Sequence, residues 1–225
     1  MSFSLSSAAR PGELPLLFLP GWGFDARLLA LYRLFPGRCL ILPDSFIDPV
    51  CFAADLATFL RSRHIAEIAV LGWSMGAQLG LDLCLSHARL VGRLDLVAMR
   101  SRWPQQEIAA TRTAIAADLP ACMRDFYRRC FLGYKRPYHD FVSKLQDDYL
   151  RRLDREILMA GLDYLQDFSL PARLPGEVAV RIIHGRRDVV APLEEMPRLH
   201  GAASEVIASA GHMVLLDCYG KQQDV

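Results

Sequence analysis

The sequence predicts an α/β fold, in which a mostly parallel sheet is flanked by helices and interrupted by a helical insertion. Short apolar runs alternate with segments of helical periodicity, which is typical of parallel strands joined by helices. Between residues 101 and 171 this alternation stops, and only helical periodicity remains. The chain has 225 residues, of which 52% are hydrophobic, enough for one sizeable core. We therefore expect a core of residues 1–100 and 172–225 with a helical cap of residues 101–171.

The elements follow from the same patterns in chain order. The short apolar runs predict strands at residues 16–19, 39–42, 68–71, 94–99, 179–183 and 205–208. Helical periodicity between those runs predicts helices at residues 26–35, 52–63, 75–88 and 193–200. Within the insertion, the same periodicity predicts helices at residues 105–117, 119–131, 137–152 and 154–166. Ligands bind at the carboxyl ends of strands in such sheets, so the insertion is expected to roof the binding site.

Composition excludes several other classes of protein. The net charge is +1 and no apolar run is long enough to span a bilayer, so we expect neither nucleic-acid nor membrane binding. The first ten residues lack the basic start and apolar core of a signal peptide. Six scattered cysteines without a Cys-x-x-Cys pair predict a cytoplasmic protein with no metal site. No nucleotide-binding loop is present, so we expect no cofactor, and we expect a monomer.

The most informative segment is the Gly72-Trp73-Ser74-Met75-Gly76 stretch, which follows an apolar run and precedes a helical pattern. This arrangement is typical of a nucleophile elbow, the sharp strand-to-helix turn that exposes a serine hydroxyl at the edge of a sheet. Gly-x-Ser-x-Gly alone is common enough to occur by chance. Its context therefore decides whether Ser74 is a nucleophile.

A serine nucleophile needs a base within hydrogen-bond reach and an acid that orients that base. Asp188 follows the predicted strand at residues 179–183, and His212 follows the last predicted strand. The chain order Ser74, Asp188, His212 is the order found in hydrolases that carry a nucleophile elbow. His184 is expected to pack or bond to backbone at a strand end, and Asp217 is too near His212 in sequence to orient it.

Hydrolysis of an acyl group also needs hydrogen-bond donors for the oxyanion. The backbone N–H of Met75 lies at the start of the helix that follows Ser74. A second donor is expected in the loop after the first strand, where Trp22 lies between Gly21 and Gly23. We therefore assign Trp22 and Met75 to the oxyanion and substrate-binding site.

Together, these motifs resemble the α/β-hydrolase superfamily over essentially the whole chain. Within it, the Gly-Trp loop and the Gly-Trp-Ser-Met-Gly elbow resemble the pimeloyl-[acyl-carrier protein] methyl ester carboxylesterases of biotin synthesis. The resemblance implies hydrolysis of that methyl ester, with Ser74, Asp188 and His212 as the triad. The N-terminal segment is short and few residues follow His212, so we expect a sheet trimmed at both ends and a final helix that is missing or vestigial.

Arginines in the predicted cap indicate a partner for this reaction. Arg124 and Arg128 lie at helical spacing, as do Arg151 and Arg155. Such a surface would suit an acidic acyl carrier protein. The interpretation left open is an ordinary solvated face, because aspartates are interleaved with these arginines.

Three functions remain open from the sequence. The first is an esterase that acts on a carrier-linked or small-molecule acyl ester. The second is another small-molecule enzyme of the same fold, such as a generic carboxylesterase or thioesterase, or the synthase type of menaquinone biosynthesis. The third is a non-catalytic binding protein on this scaffold, against which the intact order of Ser74, Asp188 and His212 argues.

Overall fold

A computed structural model describes residues 1–174 and 178–220. Within these ranges, seven strands form one sheet in the order β1-β3-β2-β4-β5-β6-β7. The strands are β1 Phe3–Leu5, β2 Leu16–Leu19, β3 Leu40–Pro43, β4 Ile68–Trp73, β5 Val91–Val97, β6 Ala179–Gly185 and β7 Ala203–Ile207. Only β1 pairs antiparallel, with β3, and the remaining described pairs are parallel. The predicted α/β architecture with a mostly parallel sheet is confirmed.

The helices alternate with the strands on either side of a long helical segment. Helices α1 Arg27–Leu31, α2 Phe52–Ser62 and α3 Met75–Ser86 lie between the early strands, and α8 Leu215–Tyr219 follows β7. Between β5 and β6 lie α4 Gln105–Cys130, α5 Lys135–Phe141, α6 Asp147–Arg152 and α7 Arg155–Asp167. A π-helical turn at Val142–Gln146 joins α5 to α6. We call the stretch from α4 to α7 the helical segment.

The centre of the sheet is the apolar core of the molecule. Every residue of β2 and of β4 is buried. Parallel strands covered by helices on both faces have no solvated side, so a continuous apolar run replaces the alternation of an exposed strand. The carboxyl ends of these two strands lead directly into the loops that carry Trp22 and Ser74.

Helix α4 is broken in its middle, which agrees with the predicted division into two helices. Asp118 leaves helical geometry (φ −155°, ψ 94°), and its carboxylate accepts a hydrogen bond from the Ala121 N–H at 2.9 Å. Pro120 lies in the first turn of the second half, where its missing N–H is tolerated. The second half thus begins as a separate helix capped by Asp118.

The sequence patterns miss one strand, and two of the predicted helices are wrong in extent or type. The sequence patterns do not predict β1, which pairs with β3 in the register Phe3↔Pro43. The helix predicted at residues 193–200 is only a 3₁₀ turn, Leu193–Glu195, because Pro197 holds the preceding Met196 in extended geometry (φ −59°, ψ 131°). Helix α1 ends at Leu31 rather than residue 35, since Arg33 and Phe35 both adopt positive φ.

The last helix that the structure describes is short, and residues 221–225, which the expectation of a vestigial final helix also concerns, lie outside the described range. Helix α8 is only five residues long within the described range.

No helix among the residues that the structure describes is both long and apolar enough to cross a bilayer.

Candidate active site

Ser74 occupies the sharp turn between β4 and α3 in an unusual backbone conformation. Its φ is +57° and its ψ is −122°, a region that residues with a side chain rarely adopt. The two glycines of the motif allow this turn. A Cβ atom on Gly72 would lie 2.2 Å from the Gly76 carbonyl oxygen, and one on Gly76 would lie 2.0 Å from the Leu19 carbonyl oxygen. No larger residue fits at either position without movement of the backbone.

The structure brings the three predicted triad residues together. The Ser74 Oγ lies 3.0 Å from Nε2 of His212. On the other side of the ring, Nδ1 of His212 lies 2.8 Å from Oδ2 of Asp188. All three side chains are buried. This row has the geometry of a nucleophile, a base and an orienting acid.

Asp188 is held in place by its own loop after β6. Its Oδ1 accepts hydrogen bonds from the backbone N–H groups of Val190 and Ala191, both at 2.8 Å, which leaves Oδ2 for His212. Burial raises the pKa of Asp188, but the attraction and hydrogen bond of His212 and the two backbone donors outweigh it, so the pKa lies below 3.8. The carboxylate is therefore ionised at neutral pH and can stabilise an imidazolium.

The loop with Trp22 passes directly against Ser74. A Cβ atom on Gly21 would lie only 3.1 Å from the Cβ of Ser74. The Phe24 N–H donates to the Gly21 carbonyl at 3.1 Å, and Gly23 has a φ of +70°, so a tight turn surrounds Trp22. Met75 begins α3, as expected. The structure thus places both predicted oxyanion residues next to Ser74.

A cavity of about 580 Å³ opens from Ser74 beneath the helical segment. Its apolar wall is formed mainly by Trp22, Trp103, Ile108, Phe126, Leu162 and Val190. Its charged side chains come in opposite pairs. Arg100 forms two hydrogen bonds with Glu107, at 2.6 and 2.9 Å, and Arg129 lies 3.3 Å from Asp125. The cavity therefore offers a largely apolar wall in which Arg100 and Arg129 each contact a carboxylate.

The four predicted docking arginines lie on the helical segment and are not part of this triad. Arg124 and Arg128 lie on the second half of α4, Arg151 lies on α6 and Arg155 begins α7, and all four are exposed. Arg128 pairs with Asp125 at 2.6 Å, and Arg151 pairs with Asp148 at 3.2 Å. The interleaved aspartates thus neutralise part of the basic surface.

The competing acid and base have other contacts. Nε2 of His184 lies 2.8 Å from the Ala191 carbonyl oxygen, the backbone contact expected of it. Asp217 accepts a hydrogen bond from the Tyr134 hydroxyl at 2.5 Å. The same hydroxyl accepts the N–H of Gly211 at 3.1 Å, one residue before His212. Tyr134 thus supports the His212 loop. Sequence reasoning misses this role because Tyr134 and Gly211 lie 77 positions apart.

Comparisons with known proteins agree with this architecture. The family model described as the alpha/beta hydrolase family matches residues 16–221. A pimeloyl-[acyl-carrier protein] methyl ester esterase of Aromatoleum aromaticum is 31% identical over 146 residues, which span 56% of this chain and 58% of that protein. The protein of the same name from Aeromonas hydrophila is 24% identical over 92% of this chain and 91% of its own length. Among solved structures, an esterase from Exiguobacterium antarcticum superposes with a TM-score of 0.74 at 19% identity, over 96% of this chain and 90% of that one.

Proposed function

Because the chain belongs to the alpha/beta hydrolase family, we propose that it is a serine carboxylesterase that hydrolyses the methyl ester of a pimeloyl group on acyl carrier protein. Family membership confirms the superfamily resemblance, and the predicted class of ester-cleaving hydrolase agrees with it. The substrate is supported by two relatives whose names specify it. The observation that carries the proposal is the buried row of Ser74, His212 and Asp188, with Ser74 in the wall of a largely apolar cavity.

The proposed reaction uses these residues in two half-reactions. Ser74 Oγ attacks the ester carbonyl carbon while His212 Nε2, 3.0 Å away, takes the hydroxyl proton. Asp188 stabilises the imidazolium through Nδ1, and the N–H groups of Trp22 and Met75 bind the oxyanion. The bond to the methoxy group then breaks, and methanol leaves with the proton from His212. Water repeats the sequence on the acyl-enzyme and releases the free carboxylic acid and Ser74.

The charge balance of the cavity supports a neutral ester over a charged small molecule. An added carboxylate would need an unpaired cation to compensate its desolvation. Both arginines that line the cavity, Arg100 and Arg129, already have carboxylate partners in Glu107 and Asp125. Methylation removes the charge from the end of a dicarboxylate chain, so the apolar cavity would accept the methyl ester and release the ionised product.

We extend the proposal to the helical segment, which we assign as the cap domain of residues 101–171 over a core of residues 1–100 and 172–225. Cap residues form much of the cavity wall, including Ile108, Phe126 and Leu162. The exposed Arg124, Arg128, Arg151 and Arg155 would attract an acidic carrier protein.

We place the reaction in the cytoplasm, in agreement with six cysteines that are all free thiols, and we expect a monomer.

Turnover of dicarboxylate monomethyl esters of graded chain length, free and linked to acyl carrier protein, tests the proposal. We expect the carrier-linked pimeloyl ester to have the highest kcat/KM, with methanol and free acid as products. Ser74→Ala should abolish turnover and labelling by a fluorophosphonate while the protein stays folded. Turnover of free esters without preference for the carrier-linked pimeloyl ester would contradict the substrate but leave the esterase assignment.

Charge reversal tests the carrier surface separately. Arg124→Glu with Arg128→Glu should lower kcat/KM for the carrier-linked ester by about tenfold or more, because steering depends on complementary charge. The free methyl ester is the matched control, and its turnover should be unchanged. Equal losses on both substrates would count against docking at these arginines. Absence of any ester turnover or Ser74 labelling in the wild type would favour a binding protein.

A further inference from the structure

The loop that carries Trp22 is held by the helical segment through three buried side-chain hydrogen bonds. The indole Nε1 of Trp22 donates to the Leu158 carbonyl at 2.9 Å. The Tyr127 hydroxyl donates to the Gly23 carbonyl at 2.9 Å, and the Tyr149 hydroxyl donates to Oδ1 of Asp25 at 2.7 Å. Each partner lies more than 100 positions away in sequence. Residues 22–25 are thus held in place by contacts from the helical segment.

Ring packing encloses the same loop. The Trp22 ring meets Phe126 edge-on, with centroids 5.0 Å apart. Phe24 lies between Trp73 of the elbow and Tyr127 of α4, at 4.9 Å from each. The loop is therefore sandwiched between the strand that carries the nucleophile and the helical segment.

Gly161 on α7 shows how closely the segment approaches Trp22. A Cβ atom at this position would lie 2.6 Å from Cδ1 and 3.0 Å from Nε1 of Trp22. The indole fills the space that the missing side chain leaves on the helix. Any side chain at position 161 would push against the indole.

The turn around Trp22 needs such restraint because glycines flank it. Gly21 and Gly23 permit backbone rotations that other residues resist, so the peptide carrying the Trp22 N–H is not fixed by its local sequence. Burial raises the pKa of Tyr127, so its hydroxyl stays protonated and remains a donor. Tyr127 holds the carbonyl of Gly23, and Leu158 holds the indole of Trp22. Together the two bonds tie the turn to the helical segment, one at the Gly23 carbonyl and one at the Trp22 side chain.

We propose that Tyr127 and the Trp22 indole are positioning groups that hold the Trp22 N–H toward the oxyanion, so that the helical segment contributes to transition-state stabilisation as well as to substrate binding. The inference rests on the proposed serine-esterase function of the site. Hydrogen-bond donors stabilise an oxyanion only when they are oriented before the reaction, and a displacement of about 1 Å can lower a rate by up to about a hundredfold.

Tyr127→Phe tests the inference, since it removes only the hydroxyl. The substrate is a p-nitrophenyl ester, and a trifluoromethyl ketone that adds to serine as a tetrahedral oxyanion serves as the transition-state analogue. We expect kcat to fall about tenfold with KM within about twofold, and the affinity for the ketone to fall by the same factor as kcat/KM. A purely structural role would change the melting temperature without this parallel loss.

Tyr32→Phe is the matched control. The Tyr32 hydroxyl also joins the core to the helical segment, donating to the Pro137 carbonyl at 2.7 Å, but it lies outside the loop and the triad. We expect this variant to keep the wild-type kcat and ketone affinity. Equal losses in Tyr32→Phe and Tyr127→Phe would overturn the inference, because they would reflect general attachment of the helical segment.

Gly161→Ala keeps the inference testable if Tyr127→Phe fails to fold. Alanine favours a helix over glycine, so α7 should form readily while the new Cβ displaces the indole. We expect the same parallel loss of kcat and ketone affinity. Wild-type values in the folded variants would overturn the inference but leave the esterase function intact. A wild type that neither turns over esters nor binds the ketone would overturn the proposed function, and this inference with it.

Discussion

The indole Nε1 of Trp73 donates a hydrogen bond to the carbonyl oxygen of His212 at 2.8 Å. The residue before Ser74 therefore holds the backbone of His212. The two rings also pack together, with centroids 5.3 Å apart, and Trp73 is fully buried. The Gly-Trp-Ser motif thus joins the elbow and the His212 loop, which lie 139 positions apart in sequence.

We expect Trp73→Phe to lower kcat on a small ester by about tenfold, because the His212 loop loses a restraint on the position of the base. Loss of ring volume and an unpaired carbonyl should also lower the free energy of unfolding by about 2–3 kcal/mol. Steady-state kinetics at a temperature where the variant is folded separates the two effects. A folded variant with wild-type kcat would contradict the positioning role.

Asp188→Asn should lower kcat by about 10⁴-fold, because an amide favours the wrong tautomer of His212 and cannot stabilise its cation. Asp217→Asn is the matched control. Asp217 lies closer to His212 in sequence, yet its carboxylate bonds to Tyr134. Kinetics on a p-nitrophenyl ester should show no more than a few-fold change in the control. A larger loss in Asp217→Asn than in Asp188→Asn would reverse the assignment of the acid.

Gly76→Ala should prevent a stable native elbow, since its Cβ would lie 2.0 Å from a backbone carbonyl that cannot rotate away. Gly80→Ala, one turn later on α3, is the matched substitution. Its Cβ would meet only side-chain atoms, the nearest being Val70 Cγ1 at 3.1 Å. Thermal unfolding should show a much larger loss for position 76 than for position 80. Similar melting temperatures would show that the elbow tolerates a side chain.

His184 should make the protein less stable at mildly acidic pH. Its ring is buried, Nδ1 has no hydrogen-bond partner within the described residues, and burial lowers its pKa below 6.5 despite the Ala191 contact and the nearby Asp188. Well above pH 6.5 the ring is neutral in both the folded and the unfolded chain. As the pH falls below 6.5, the unfolded chain binds the proton first, and the free energy of unfolding decreases.

Melting temperatures between pH 5 and pH 8 check this expectation. His184→Gln retains a nitrogen donor for the Ala191 carbonyl but does not titrate. The variant should show a shallower decrease in melting temperature below pH 6.5. Parallel curves for the variant and the wild type would indicate that other groups account for the acid sensitivity.

The three residues of the predicted triad could be brought together from sequence because their signals are local. Ser74, Asp188 and His212 each follow an apolar run, and parallel strands bring their carboxyl ends to one edge of the sheet. The glycine spacing of the elbow has a steric cause that a short window contains. Catalytic roles for these residues remain predictions until the variants are measured.

The remaining features depend on partners that are distant along the chain. Strand β1 has only three residues and exists by pairing with β3 and by packing of Phe3 on Phe52 and Phe59. No local pattern could assign Tyr127 or Trp73 their acceptors, because those bonds form only after the sheet and helices pack. The false helix at residues 193–200 is different, since Pro197 could have excluded it.

The backbone conformation of Ser74 also opposes the stability of the folded protein to its proposed catalytic activity. A non-glycine residue at a φ of +57° and a ψ of −122° carries strain of about 1–3 kcal/mol in every folded molecule, whether or not substrate is bound. Glycine would adopt this conformation freely, but it would supply no nucleophile. Selection for heat resistance alone would therefore favour loss of the serine, and the most thermostable form of this elbow should be a catalytically dead one.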